Sequence, residues 1–273
     1  MRSAKIARAA LWAGMLAACL AHPPAEAGPI GFNLISESYP LRQDDYAPIG
    51  STGVYAGNSF FHTLSDGRYW LKSVGYASGF MNCTPAIIFF CYGNAAGGYS
   101  NRSWNVGLQL TGPPGAEADV YLDWNWGGDG DATAFGFGYG AAWSQHQLLL
   151  SRGDAGVLLY NDYEIWELKA DGVGVNINES FGRQVDNFYV GRMKVGDPEW
   201  GTLWLNGFHG AEADGYAVGG LGVFYGRINS SFEFEITALE AGQQPPSATS
   251  EPATLALLGL GLAGLAATRR RKL

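Results

Sequence analysis

Hydrophobic and polar residues change places at every second position through much of this chain. Across 118–126, Val120, Leu122, Trp124 and Trp126 share one side of an extended strand, while Tyr121, Asp123 and Asn125 share the other. Phe135, Phe137 and Tyr139 alternate with Gly136, Gly138 and Gly140, and Phe232, Phe234 and Ile236 alternate with Glu233, Glu235 and Thr237. The last run predicts a strand with one buried and one wet face. Gly, Asn, Asp and Pro separate the runs, and between the two ends of the chain no segment sustains a helical period. The 40 glycines and 14% aromatic residues suit many tight turns around a core filled by large rings. The expected fold class is all-β, an antiparallel β-sandwich over 28–241.

The two ends break this pattern. Arg2, Lys5 and Arg8 precede an apolar run over 9–21, and the small-residue site Ala25-Glu26-Ala27 follows. A basic flank, a short apolar stretch and an A-x-A site predict a signal peptide over 1–27, cleaved after Ala27. The run is about 13 residues, short of the ~20 that a spanning helix needs. A second processing route is open, because Leu16-Ala17-Ala18-Cys19 has the form of a lipobox in which Cys19 would be lipidated. At the other end, a Pro- and Ser-containing linker over 242–250 leads to an apolar, uncharged stretch over 253–267. Four cations, Arg269, Arg270, Arg271 and Lys272, follow it. Such a stretch predicts a short transmembrane helix whose basic end stays cytoplasmic, leaving the preceding domain outside.

With Glu251-Pro252 ahead of this helix, residues 251–273 resemble the PEP-CTERM tail that exosortases recognise in exopolysaccharide-producing Gram-negative bacteria. The resemblance implies export, retention in a membrane through the C-terminal helix, and an exosortase-type processing partner. The sorting residues it implies are Glu251, Pro252, Arg269, Arg270 and Arg271. Ser250 stands where the motif usually has its first proline. Within the sandwich, Asp186-Asn187-Phe188-Tyr189-Val190-Gly191-Arg192-Met193 and Gly201-Thr202-Leu203-Trp204-Leu205-Asn206 together resemble a hairpin of concanavalin-like, laminin-G-type jelly rolls. That resemblance implies a jelly-roll topology and a glycan as the class of ligand, with exopolysaccharide as the expected partner.

Charge narrows the partners. Of 17 Lys and Arg, three lie in the signal segment and four in the tail; of 25 acids only Glu26 and Glu251 lie outside 28–250. The exported part therefore holds 10 cations against 23 acids, a net charge of about −13. Such a surface disfavours nucleic acid and anionic polymers. Cys83 and Cys91 are the only cysteines beyond the signal segment, and in an oxidising compartment they are expected to pair. His62, His146 and His209 have no partner at metal-ligand spacing, and no nucleophile elbow or phosphate-binding loop occurs. Gly259-Leu260-Gly261-Leu262-Ala263-Gly264 matches a dinucleotide fingerprint in letters, but it has no βαβ unit around it.

Three places hold candidate chemistry. Asp162-Tyr163-Glu164-Ile165-Trp166-Glu167 comes nearest to the E-x-D-x-E strand of laminarinase-type glucanases. Trp166 replaces the third acid, however, and Glu167 points the opposite way. Asp162 and Glu164 share a face, but a regular strand brings them to the ~5–5.5 Å of a retaining glycosidase only with distortion, so a non-catalytic, lectin-like protein is expected. The alternatives are a glycan-active enzyme on the same fold and a purely structural adhesion or matrix protein. Around Asp123-Trp124-Asn125-Trp126-Gly127-Gly128-Asp129-Gly130-Asp131 an acidic turn is expected. Asp129 and Asp131 there suit calcium, although D-G-D also serves backbone geometry alone. Finally, Thr202, Trp204 and Asn206 share a strand face, as do Tyr121, Asp123 and Asn125. Each trio joins a ring to hydrogen-bonding groups, as a pyranose with apolar faces and polar edges requires. If both line one concave sheet they form a glycan site; if loops cover them, Trp204 belongs to the core.

Overall fold

Period-two alternation becomes burial of every second residue in the long central strands, while the outer strands are mostly exposed. In the computed structural model, residues 29–46, 54–65, 67–83, 94–153 and 156–245 are described, and all regular structure among them is β. The strands are β1 (Gly31–Ser38), β2 (Leu41–Tyr46), β3 (Tyr55–Ser65), β4 (Arg68–Cys83), β5 (Asn94–Thr111), β6 (Glu117–Arg152), β7 (Val157–Asp171), β8 (Val175–Lys194) and β9 (Thr202–Glu240). The signal segment, the tail helix and Cys91 lie outside the described residues, and with Cys91 the expected disulfide. Cys83 closes β4 and is buried.

β6 and β9 decide the architecture. They contain 36 and 39 residues and pair antiparallel along almost their whole length. Straight strands of that size would run well over ~100 Å. Instead both fold back, at 135–138 in β6 and 218–222 in β9, where the pairing register shifts and Gly136 takes a φ of 124°. Their halves then lie face to face in two layers. The front sheet runs β3–β4–β9 (222–240)–β6 (117–134)–β8. The back sheet runs from β1 and β2 through β5, β9 (202–217) and β6 (139–152) to β7. All pairings are antiparallel, as the sequence predicts, and the result is a sandwich.

The space between the sheets tapers. At the wide end Tyr69, Leu71, Leu122, Trp124 and Phe234 meet Trp104, Leu108, Leu150 and Leu205, and Trp104 stacks on Phe232 with ring centres 5.5 Å apart. Each such side chain contributes ~1.5–3 kcal/mol on burial. Toward the fold-back many side chains shrink to Ala77, Ala132, Ala142, Ala211 and Ala213, and then to glycines such as Gly138 and Gly222, which leave room for the buried ring of Phe224. Phe135 and Phe137 accordingly point outward, with Phe137 70% exposed, because the glycines that alternate with them occupy the narrow interior. Between the two ends lies a polar layer. His146 and His209 face each other across adjacent strands, both fully buried. His209 Nδ1 and Nε2 lie 3.0 and 2.9 Å from the hydroxyls of Ser73 and Ser230. Burial pushes His209 down to about 3.

The strand leading to the tail is clamped by Asp119. Its carboxylate accepts from Arg192 Nε (2.9 Å), the Tyr189 hydroxyl (3.1 Å) and the backbone N–H of Gly242 (2.8 Å). Arg192 above all, then Gly242 and Tyr189, outweigh burial and hold this carboxyl below its ordinary range. Asp119→Ala removes these bonds, with the exposed Gly242 N–H, Tyr189 hydroxyl and Arg192 left to turn to water. The expected loss is roughly 1–2 kcal/mol, read as a lower urea midpoint, and 241–245 becomes the first segment cut by added protease.

Candidate functional site

Once Phe232 and Phe234 turn inward, Glu233 and Glu235 must turn out, and the same holds for Asp123 and Asn125 beside Trp124 and Trp126. On β4 the burial of Tyr69 and Leu71 turns out Trp70 and Lys72. These side chains converge on the outer face of the front sheet. β8 closes the far side through a bulge. Register shifts between Leu122 and Trp124, and the extra residues 186–187 stand out opposite, with Asn187 at a φ of 53° and its N–H donating to the Asp123 carboxylate. The bulge lifts Asp186 beside Gln184 into a rim. The resulting cleft holds about 360 Å³ between Trp70, Asn125, Gln184, Asp186 and Glu233.

Its walls are fixed by hydrogen bonds. Trp70 Nε1 donates to Glu233 Oε1 at 2.7 Å, and Lys72 Nζ reaches Glu233 Oε2 at 2.9 Å. Burial alone would raise the Glu233 carboxyl, but Lys72 and Trp70 together hold it below its ordinary value. Arg68 lies 3.5 Å from Glu235, and Gln184 Nε2 donates to Asp186 at 3.0 Å. An indole, two amides and several acceptors thus surround an open space, which fits a polyhydroxylated ligand. Among the described residues no group of three or more His, Cys, Asp or Glu is placed to hold a metal ion.

The structure distributes the sequence-predicted residues unevenly. Asp123 and Asn125 line the cleft. Tyr121 lies farther along the same face, its ring 5.5 Å from that of Tyr189 and its hydroxyl donating to the Gln243 carbonyl. Thr202, Trp204 and Asn206 do not join them: they occupy the outer face of the back sheet, on the opposite side of the sandwich. Trp204 lies there over Gly107 beside Ile35, partly exposed, while Leu203 and Leu205 face the core. The expected single concave sheet with both trios is corrected, because β9 crosses from one layer to the other between them.

The expected hairpin is corrected too. Residues 186–193 belong to β8, which pairs with β6 in the front sheet, whereas Thr202 opens β9 in the back sheet. The acidic turn at 123–131 is a stretch of continuous strand inside β6. Arg227 reaches Asp131 at 3.0 Å and Asp129 at 3.9 Å, and Asn178 donates to Asp131, so a guanidinium already supplies positive charge there. Asp162 and Glu164 share the inward face of β7 and both contact Arg183, at 3.4 and 2.8 Å. Trp166 packs inward against Phe181, with ring centres 4.4 Å apart, and Glu167 is exposed.

Other groups were not singled out from sequence. Trp70 and Gln184 stand in segments without a distinctive motif, Asp186 marks in the sequence only the start of a hairpin strand, and only the sheet brings the three to Asp123. On the back sheet, Glu212 and Asp214 alternate with buried Ala211 and Ala213, a period-two signal that was legible in the chain. Trp143 Nε1 donates to Glu212 at 3.0 Å, and the Tyr46 hydroxyl donates to Asp214 at 3.4 Å. Burial, joined by the Asp214 charge, raises Glu212 to about 7, and burial raises Asp214 to about 6.

Comparison with known proteins adds the following. Residues 248–272 match the PEP-CTERM protein-sorting motif, which implies export and membrane-anchored sorting by an exosortase. No curated protein matches the chain. Among solved structures, similarity extends to the enzymatically active domain of bacteriophage CBA120 tailspike protein 4, at 11% identity over 74% of this chain with a TM-score of 0.20. This chain spans only 19% of that one. It extends also to TmCBM61 in complex with β-1,4-galactotriose (14% identity, 74% of this chain, 88% of that one, TM-score 0.18). A third is the family 11 carbohydrate-binding module of Clostridium thermocellum (10% identity, 75% and 96%, TM-score 0.17). These likenesses are too distant to bear on a ligand.

Proposed function

We propose that this exported chain is a non-catalytic protein that binds neutral glycan through the front-sheet cleft and is delivered to the cell surface by exosortase processing of its tail. The observation that carries the reading is the cleft itself: an indole wall, the Asn125 and Gln184 amides and fixed carboxylate acceptors on a rigid sheet. Sugar rings present apolar faces to the first and hydroxyl edges to the others. The net charge of about −13 favours a neutral polymer over an acidic one, and an exopolysaccharide is the expected partner. The carboxylates in the cleft are engaged by Lys72, Arg68, Gln184 and the Asn187 N–H, an arrangement that suits binding more than proton transfer.

The test is binding of the full-length protein to an array of neutral and acidic glycans. Trp70→Ala is expected to weaken the neutral-glycan signal at least about tenfold, since aromatic anchors dominate such contacts. Thermal stability should change little, because Trp70 points away from the core. Unchanged binding in Trp70→Ala would overturn the assignment of the cleft. For the tail, deleting 251–273 is expected to move the protein from the membrane fraction to the soluble one, and a full-length chain that fractionates as soluble would count against anchoring.

A further inference from the structure

After β9 the chain turns back over the outer face of the front sheet and heads for the cleft. Ala241 donates its N–H to the Glu117 carbonyl, and Gly242, at a φ of 89°, reverses the direction. The Gly242 N–H then meets Asp119, and the Gln243 carbonyl accepts from the Tyr121 hydroxyl at 3.4 Å. Pro245 lines, with Asp123, a hollow that shares Asp123, Asp186 and Glu235 with the cleft. Residues 241, 242, 243 and 245 thus lie beside 117, 119, 121 and 123 in turn, climbing one row of β6. The next residue in that row is Asn125, which lines the cleft.

The sequence carries this path onward. Pro246 follows Pro245, and a proline keeps the residue before it out of the helical region, so the extended line continues. Alternate residues of a strand lie about 7 Å apart. The five residues Pro246-Ser247-Ala248-Thr249-Ser250 can extend up to ~18 Å, enough to pass Asn125 and cross the cleft. Their chemistry suits the crossing. Asp123, Asp186, Glu233 and Glu235 make the cleft rich in acceptors. The five residues carry no charge, and Ser247, Thr249 and Ser250 bring hydroxyl donors. The Pro246 ring has an apolar face to set against the Trp70 indole. The first acid of the segment, Glu251, comes only after the crossing.

We infer that residues 246–250 are the resident occupant of the cleft, so that the protein carries its own competitor for glycan. The competition rests on the glycan-binding reading of the cleft, whereas the seating rests on the path of 241–245. A segment tethered this closely has an effective concentration of roughly millimolar. Seated about nine-tenths of the time, it lowers the apparent affinity for glycan about tenfold.

Photo-crosslinking of the full-length protein tests the seat without any sugar. Gln184 is exposed on the cleft rim, and p-benzoylphenylalanine takes its place. Irradiation of dilute protein, proteolysis and mass spectrometry are expected to find adducts within 246–250. Ser247→Glu with Thr249→Glu sets two carboxylates against those of the cleft and should lose these adducts. Calorimetric titration with cellohexaose, laminarihexaose and xylohexaose then reads the competition, in chains that keep Gln184. The acidic variant is expected to bind at least one of the three about tenfold more tightly than wild type. Adding Trp70→Ala should remove that gain. No adducts within 246–250, or equal affinity in wild type and the acidic variant, overturns the inference; the cleft still stands if Trp70→Ala weakens both. Adducts within 246–250 without binding of any sugar by either protein leave the linker seated, and overturn the glycan reading and the competition with it.

Discussion

Gly140→Ala is expected to abolish folding, or to reduce it to a small fraction of the soluble yield. Where β6 and β9 fold back, the two layers touch backbone to backbone. A Cβ at 140 would fall inside the contact radius of the Tyr225 carbonyl oxygen and 2.6 Å from that of Thr133. Gly226 is placed the same way against the carbonyls of Ala141 and Asp214. Neither obstacle is a side chain that can swing aside. Each is a carbonyl of the paired β6–β9 ladder, so relief requires the sheets to separate and the alanine-lined interior beside them to open. Overpacking against side chains costs ~1–3 kcal/mol. Displacing backbone here should exceed ~4 kcal/mol, a large share of the ~5–15 kcal/mol that holds a domain together. Gly182→Ala on β8 is the control, since the nearest atom to its added methyl is the Trp126 carbonyl oxygen at 3.7 Å. It should stay within about 0.5 kcal/mol of wild type in urea titration. Equal stability of Gly140→Ala and Gly182→Ala would show that the layers do not meet as described.

Between pH 7.5 and 5 the wild-type melting temperature is expected to stay nearly level, and the variant Glu212→Gln, Asp214→Asn to lose stability steeply over that range. Two opposed titrations produce the plateau. His209 ionises near 3 in the fold against an ordinary 6.5, and burial lowers His146 as well, with nearby Asp162 opposing. The unfolded chain takes up these protons as pH drops through 6.5 and the folded chain does not. The contribution of His209 is therefore complete above 6.5 and falls by about 1.4 kcal/mol per pH unit below it, and that of His146 changes in the same direction. The carboxyls act the other way. Glu212 at about 7 and Asp214 at about 6 sit above their ordinary 4.5 and 3.8. Above these raised values folding bears the cost of two desolvated charges, and acidification toward 4 removes it. Because Glu212 is partly solvated, its share is the smaller.

Below about pH 4 the compensation is spent. His209 continues to lose, and Asp119 and Glu233, both held low by their partners, begin to take up protons that break those bonds. Collapse should follow there in every variant. The amide substitutions also carry no charge to desolvate, so the double variant should melt above wild type at pH 8. A variant that keeps the level wild-type profile would mean that the histidines are not buried and neutral.

Much of this was legible in the chain, for local reasons. Strand alternation assigns Val120, Leu122, Trp124 and Trp126 to the interior and Asp123 and Asn125 to solvent, because side chains on a strand alternate sides whatever lies beyond it. The same logic set Glu233 and Glu235 opposite Phe232 and Phe234. The sorting tail was equally legible, since charge, length and composition within about 25 residues carry it. The period-two signal was silent on which of two sheets an outward row belongs to. Thr202, Trp204 and Asn206 therefore appeared to be neighbours of Asp123 and Asn125, although the sandwich lies between them.

Alternation also cannot tell one folded strand from two. In β6 the run from Asp119 to Asp131 reads like a strand followed by an acidic turn, yet pairing with β8 on one side and β9 on the other keeps it extended. His146 and His209 looked like unpartnered imidazoles, and only the stacking of layers brings His209 between Ser73 and Ser230, the former 136 residues away. The cleft arises in the same way, with one of its bonds joining Trp70 to Glu233 across 163 residues. Orientation within a strand follows from covalent geometry two residues at a time, so sequence determined it. The choice of neighbours depends on where β6 and β9 fold back, a balance of packing across the whole interior that no short stretch of the chain contains.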